Sequence, residues 1–279
     1  MPSVINTNLL SLTAQRNAGA SQGALATSIQ RLSSGLRINS ARDDAAGLGI
    51  AVRMDSQARG MDMGIRNAND GISLAQTGEG ALGKVSDMLQ RMRELSVQSA
   101  NASNTTVDRT SLDNEFQQLT AEITRTLSAT KFNGTAILGA NAGAQTFQVG
   151  ANNSTTDQIS VTTTDMTTNA AMTAVTAASS AITTGAVSLT AITNIDTALA
   201  TVNSERTKYG AMQNRFDAII DNLKVGSENQ KAAMSRIMDA DFAVETASLT
   251  RAQIMQQAST AMLAQANQAP QSVLALLRG

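Results

Sequence analysis

Both ends of this chain carry apolar residues at helical spacing, and neither helix could bury its own stripe. Ile5, Leu9 and Leu12, then Leu25, Ile29, Leu32 and Leu36, recur at intervals of three and four. Near the other end Val244, Ala247, Ile254, Ala258, Met262 and Leu263 trace a similar stripe, followed by Val273, Leu274, Leu276 and Leu277. Such spacing gathers the side chains on one helix face, and that face needs a partner. Two such segments at opposite ends predict a chain that folds back on itself and then assembles with copies.

Composition narrows the alternatives. The apolar fraction is 42%, but much of it is alanine and only 2% of residues are aromatic. Those aromatics (Phe116, Phe132, Phe147, Tyr209, Phe216, Phe242) all lie in the interior of the sequence. Thick cores use aromatic bulk, so thin helix-to-helix seams are expected rather than a compact multilayer core. The two prolines, Pro2 and Pro270, sit near the ends and leave long helices uninterrupted. With no cysteine and no histidine, disulfides, thiolate metal sites, Cys or Ser-His nucleophiles and imidazole acid–base chemistry are excluded. The formal charge of -1 argues against general nucleic-acid affinity. Residues 1–42 hold Arg16, Arg31, Arg37 and Arg42 but no acid, either a solvated basic face or a partner-binding surface. No apolar run is long enough to span a bilayer, so no membrane partner is expected. No charged segment followed by an apolar run of roughly 7–15 residues marks a cleaved leader.

The pattern along the chain predicts mainly helix. A first helix ends near Gly35-Leu36, and Ser40 with Asp43 fits a short capping box in which the serine oxygen accepts an orphan amide while the carboxylate reaches back. A long helix over 43–100 follows, clearest at Leu82, Val85, Leu89 and Met92. Its glycines at 60, 64, 71, 78, 80 and 83 lower local propensity, and close helix packing is one reason to keep them. After a polar turn at 101–106, a further helix runs through Leu112, Phe116, Leu119, Ile123 and Leu127, then breaks at Asn133-Gly134, a strong turn signal. Alternation at 146–149 and 159–161 predicts short strands of a hairpin. Residues 150–191 are largely Thr, Ala, Ser and Asn and read as a surface excursion. Ile195, Leu199, Val202, Tyr209, Phe216, Ile220 and Leu223 then share one register, with Arg206 and Gln213 as polar exceptions. The expected fold is mainly α: a long antiparallel helical hairpin or coiled coil from the paired terminal segments, with a small β-hairpin region in the middle. The expected domains are 1–42 with 236–279, a helical bundle of 43–130 with 192–235, and an exposed variable segment over 131–191.

Several motifs resemble those of bacterial flagellins. They are the opening Val4-Ile5-Asn6-Thr7-Asn8, the run from Gln30-Arg31-Leu32-Ser33-Ser34-Gly35 to Asp43-Asp44-Ala45-Ala46-Gly47, the stretch Met92-Arg93-Glu94-Leu95-Ser96, the turn Lys131-Phe132-Asn133-Gly134, and the close Ala269-Pro270-Gln271-Ser272-Val273-Leu274. They fall in family order over 1–150 and 195–279. The resemblance implies a filament subunit, a homopolymer whose paired terminal helices form the inner tube. It further implies type III export in an unfolded state, an export chaperone on the C-terminal helix, and contact with the filament cap and hook-associated proteins. It implies an extracellular place in the flagellum, with no enzyme activity, cofactor or metal. The stripe residues named above then become the self-assembly seam. The short middle implies a slim subunit without outer domains.

The segment Leu89–Leu95 resembles the family surface read by the vertebrate Toll-like receptor five, with Arg91, Leu95 and, on the next helix, Glu122 at matching positions. The plainer alternative makes Leu95 core and the charges a solvated face or inter-subunit pairs. Asp43 and Asp44 lack a third ligand nearby and are poor metal candidates; the thirteen methionines read as seam fillers. A hook-filament junction protein, with similar termini, is the closest rival function. An enzyme without His or Cys, and a cytosolic coiled-coil adaptor, are rivals from other classes.

Overall fold

The computed structural model describes residues 7–177 and 180–278, with the side chains of 269–278 outside that description. The chain forms two compact units, residues 1–56 with 229–279 (unit 1) and residues 57–228 (unit 2).

Unit 1 is organised by two helices, α1 (Leu9–Ser34) and α6 (Phe242–Arg278). The Asn8 side chain caps the start of α1 by accepting from the Ser11 amide at 3.1 Å. Gly35 ends the helix at φ 71°, a left-handed conformation suited to glycine, and its amide donates to the Arg31 carbonyl. The two helices run antiparallel. Asn8 donates to the Ala266 carbonyl at 2.7 Å, Ser11 bonds Asn267 at 3.0 Å, and at the other end Arg31 faces Glu245 at 3.7 Å. Beyond α1 the chain pairs with the residue that follows α5 (Gly185–Met238) in a short antiparallel bridge, Leu36 opposite Asp239. Arg37 locks that bridge: its amide donates to the Met238 carbonyl and its guanidinium to the Ile237 carbonyl. These are carbonyls that a helix C-terminus leaves unsatisfied.

Half of the expected box at Ser40 is present: the Asp43 carboxylate reaches back to the Ser40 amide, but the serine oxygen donates to that carboxylate rather than accepting an amide. The Asn39 amide donates to the same carboxylate. These bonds, the two backbone amides foremost, hold Asp43 below the usual carboxylate range. Asp44 is the residue that satisfies the start of α2 (Ala45–Ala100), accepting from the Gly47 amide at 2.8 Å.

Unit 2 is built on α2, α3 (Thr106–Ala129) and α5 (Gly185–Met238). Thr105 and Asp108 form a reciprocal capping box at the start of α3. After α3 come two antiparallel strand pairs. The first joins β1 (Lys131–Phe132) and β2 (Thr135–Ala136) through Asn133 and Gly134, both at positive φ. The second joins β3 (Ala144–Gln148) and β4 (Gln158–Thr162), with Gln145 opposite Val161 and Phe147 opposite Ile159. The short helix α4 (Ala170–Thr176) completes the unit.

Helices α2 and α5 pack antiparallel in a heptad ladder. Val85 and Val202 are both buried, as are Met92 and Ile195. Seven residues further along in each direction, Ser99 and Ser188 meet hydroxyl to hydroxyl at 3.2 Å. Toward the other end, a Cβ at Gly78 would lie 2.8 Å from the Tyr209 ring, and one at Gly71 would lie 2.5 Å from the Phe216 ring. At Gly64 the close neighbours are the Val149 carbonyl and then Leu223. Each aromatic therefore sits in a hole that glycine provides. Close packing accounts for Gly64, Gly71 and Gly78, whereas added side chains at Gly80 and Gly83 would meet open space.

Two expectations are overturned in this unit. The stretch 150–191 is not simply a surface excursion, because Ile159, Val161, Met166, Met172, Val175 and Ile182 are buried in the core. Its Thr- and Ala-rich composition hides the few large residues, and polar ties anchor it. Met166 donates to the Leu138 carbonyl, Ile182 to Asp113, and Thr164 to Glu205. Nor is the core merely thin seams, since Phe116 and Phe216 are fully buried within it and Phe147 meets Phe216 edge-on at 5.6 Å.

Candidate assembly surface

The most buried positions on the inner faces of α1 and α6 are mainly small residues, with four half-buried leucines between them. Along α1 the buried and half-buried positions are Ser11, Ala14, Ala18, Ser21, Leu25, Ser28 and Leu32, alternating at three and four. Along α6 they include Glu245, Leu249, Ala252, Gln256, Ser259, Leu263 and Ala266, with the same alternation. A seam of serine and alanine lets the two backbones approach closely but removes little apolar area from water.

Many of the large apolar residues face elsewhere. Leu9 is 67% exposed, Ile254 59% and Met262 64%, and Leu12, Ile29 and Val244 are exposed as well. Ala247 and Ala258 are exposed too. Of the stripe residues only Leu25, Leu32, Leu36 and Leu263 are half-buried. Most of the described stripe residues therefore lie beside the faces that meet, while Leu25, Leu32 and Leu263 lie within them. The signal for the intrachain face is the three-four series beginning at Ser11, in which small residues predominate. Ile5 and the side chains of Val273, Leu274 and Leu277 lie outside the described residues.

Between the helices an open groove of about 640 Å³ is lined by Leu10, Ala14, Met255, Ala258, Met262 and Ala266, among others. Apolar residues exposed in register along a helix pair mark an interaction surface. Among the described residues no helix is long and apolar enough to cross a membrane. Of the four N-terminal arginines, Arg31 is spent on Glu245 and Arg37 on carbonyls of the bridge, so half of that basic run is internal structure.

On unit 2 the residues singled out as a receptor surface separate. Arg91 is exposed and ties α2 to α3, bonding Glu115 at 2.8 Å and Glu94 at 2.9 Å; the Glu115 contact foremost raises its pKa. Glu122 lies further along α3 and accepts from Arg125 at 2.8 Å, which lowers its carboxyl below the usual range. Leu95 is 1% exposed and part of the core, so its side chain is not a surface feature. The buried polar groups of unit 2 are also structural. Glu205 accepts from Lys208 at 2.6 Å and Thr164 at 3.1 Å. The Tyr209 hydroxyl is pushed up to about 12, by burial first and the Glu205 charge second.

Comparison with known proteins gives a consistent family. Residues 5–143 match the model of the bacterial flagellin N-terminal helical region, and residues 192–277 match that of the C-terminal helical region. A flagellin of Halalkalibacterium halodurans is 48% identical over 275 residues, covering 99% of this chain and all of that protein. A flagellin of Xenorhabdus nematophila is 43% identical, with both chains covered in full. Among solved structures, Bacillus cereus flagellin aligns at 33% identity with a TM-score of 0.50, covering 57% of this chain and 88% of that one. A putative flagellar hook-associated protein from Vibrio parahaemolyticus shares the fold, at 16% identity and a TM-score of 0.58. Residues 144–191 fall between the two matched models, yet they supply Val149, Ile159, Met166, Met172 and Ile182 to the core.

Proposed function

This chain belongs to the bacterial flagellin family and is a structural subunit of the flagellar filament; from that premise we propose that the outward faces of α1 and α6 are the surfaces through which it joins copies of itself. The observation that supports this is the inversion in unit 1: serine and alanine close the intrachain seam, while Leu9, Leu12, Ile29, Val244, Ile254 and Met262 are left to water. An exposed Leu or Ile buried by a neighbour stabilises the assembly by about 1.5–3 kcal/mol, and the stripe repeats along both helices. Val273, Leu274 and Leu277, with Ile5, extend it on the same proposal.

The family's wider route applies on the same footing. The subunit is exported through the flagellar type III channel, escorted by a chaperone on the C-terminal helix, and added beneath the cap at a tip whose base meets hook-associated proteins. The small, low-aromatic seam suits that route, because a helix pair with little to bury alone gains its stability from neighbours. Full-length similarity to flagellins does not favour the hook-filament junction alternative. For the innate receptor, Arg91 and Glu122 remain the surface candidates, and a receptor-reporter assay unmoved by Arg91→Ala would remove that reading.

The main test is seeded elongation of the full-length chain carrying Leu9→Asp or Ile254→Asp. Each variant should keep its helical circular dichroism and fail to enter filaments. Elongation at the unmodified rate would refute the proposal.

A further inference from the structure

The methionines of this chain range from fully buried through half-buried to exposed. Met92, Met166 and Met172 are fully buried in unit 2. Met255 and Met262 are 50% and 64% exposed on α6, seven residues apart, and both line the groove beside α1 with Leu10 and Ala258. Seven residues span about 10.5 Å along a helix on nearly one face. Leucine or isoleucine would supply the same apolar bulk there, as Ile254 does in the same stripe. A thioether differs from them in one chemical respect that water exposes: it can be oxidised.

We infer that Met255 and Met262 form an oxidation site on the unassembled subunit, at which peroxide converts the assembly face from apolar to polar and stops the chain from joining a filament. The inference rests on the assembly role proposed for α6. The chemistry balances with hydrogen peroxide as the oxidant. The thioether lone pair attacks one peroxide oxygen, the O–O bond breaks, an S–O bond forms, and the other oxygen leaves as water. Sulfur loses two electrons and peroxide gains them. The product is a polar, chiral sulfoxide that does not pack as the thioether does. Exposure sets the selectivity. Met63, 46% exposed on α2 with its sulfur against Arg66, is oxidised as well but lies outside the helix pair. The filament protects Met255 and Met262, since neighbours cover the stripe.

The test compares free full-length subunit and preformed filament, each treated with hydrogen peroxide, then mapped by peptide mass and assayed by seeded elongation. Free subunit should gain one oxygen at Met255 and at Met262 and elongate at least about tenfold more slowly. Treatment with methionine sulfoxide reductases should restore the rate. A Met255→Leu, Met262→Leu variant should elongate before treatment and keep its rate afterwards. Unchanged elongation by subunit carrying both sulfoxides would overturn the inference, and so would a leucine variant that slows as much as the unmodified chain. Reductase rescue of the unmodified chain decides the matter even if the leucine variant assembles poorly. Normal elongation by untreated Ile254→Asp would instead count against the assembly role itself, so the two failures are distinguishable.

Discussion

The two units use the same helical spacing for opposite ends. In unit 2 the large side chains point inward: Phe116, Phe216, Leu74, Leu89 and Met92 are buried around α2, α3 and α5, and strands and a short helix add to them. In unit 1 the helices meet through Ser11, Ala14, Ser28, Ala252 and Ser259, while Leu9, Ile29, Ile254 and Met262 point outward. Its one aromatic among the described residues, Phe242, is exposed. Bulk directed inward makes a unit that is stable by itself. Bulk directed outward makes one whose stability depends on what it meets, and periodicity alone does not separate the two cases.

Substitution of the largest buried side chain strains that contrast most. Phe216→Ala should lower the stability of unit 2 by about 3–5 kcal/mol in urea unfolding of the monomer, whereas Leu9→Ala should change it by less than about 0.5 kcal/mol while slowing seeded elongation. Equal losses in the two variants would erase the distinction. A smaller effect is expected at the glycines. Gly71→Ala and Gly78→Ala, whose new Cβ atoms would press on the Phe216 and Tyr209 rings, should cost about 1–3 kcal/mol. Gly80→Ala and Gly83→Ala meet open space and should gain up to about 1 kcal/mol. Thermal melts of the four variants check this, and a uniform sign would contradict the packing account.

Smaller still at neutral pH is Tyr209→Phe. The hydroxyl is buried without a hydrogen-bond partner, so its removal should shift stability by less than about 1 kcal/mol. The alkaline limb is more telling. The folded-state pKa, about 12, lies above the ordinary value of 10.0, so the neutral phenol's contribution is intact below pH 10 and drains away as pH rises toward 12. The phenylalanine variant should flatten that fall in alkaline unfolding curves. The smallest change is on the acid side, with one carboxylate in each unit. Asp43 and Asp108 are both held below the usual value of 3.8 by hydrogen bonds, from Asn39 and Ser40 and from Thr105 respectively. Their contributions are present above that value and disappear as pH falls below it. Asp43→Asn and Asp108→Asn should each flatten the acid limb slightly, and an unchanged acid midpoint in both would show that these turns add nothing.

Much of the fold was legible because its signals are local. The heptad residues from Ile195 to Leu223, the Asn133-Gly134 turn and the alternation at 146–149 each depend on neighbours a few positions away, and each became the expected element. What escaped notice depends on distant partners. Met166, Met172 and Ile182 are sparse among threonines, and only their docking on α3 and α5 makes them core. Leu95 shares a motif with Arg91 and lies only about 40° from it around the helix, yet Leu95 sits with Met92 in the core while Arg91 stands at the edge of that face in water. The intrachain seam is faint in the sequence, since the serines and alanines at its most buried positions carry too little hydrophobicity to announce a buried face.

The glycine file on α2 has a consequence for how the chain finds its alignment. Gly64, Gly71 and Gly78 are three notches, and α5 offers two aromatic teeth, Tyr209 and Phe216. Sliding α5 by one heptad, about 10.5 Å, in one direction would drive Tyr209 against Val85. In the other direction both rings would find glycines, because a notch is spare. That notch is already filled: the Val149 carbonyl, just beyond β3, sits over Gly64. The hairpin therefore acts as a doorstop, and a lock that two teeth alone would leave with two settings closes on one.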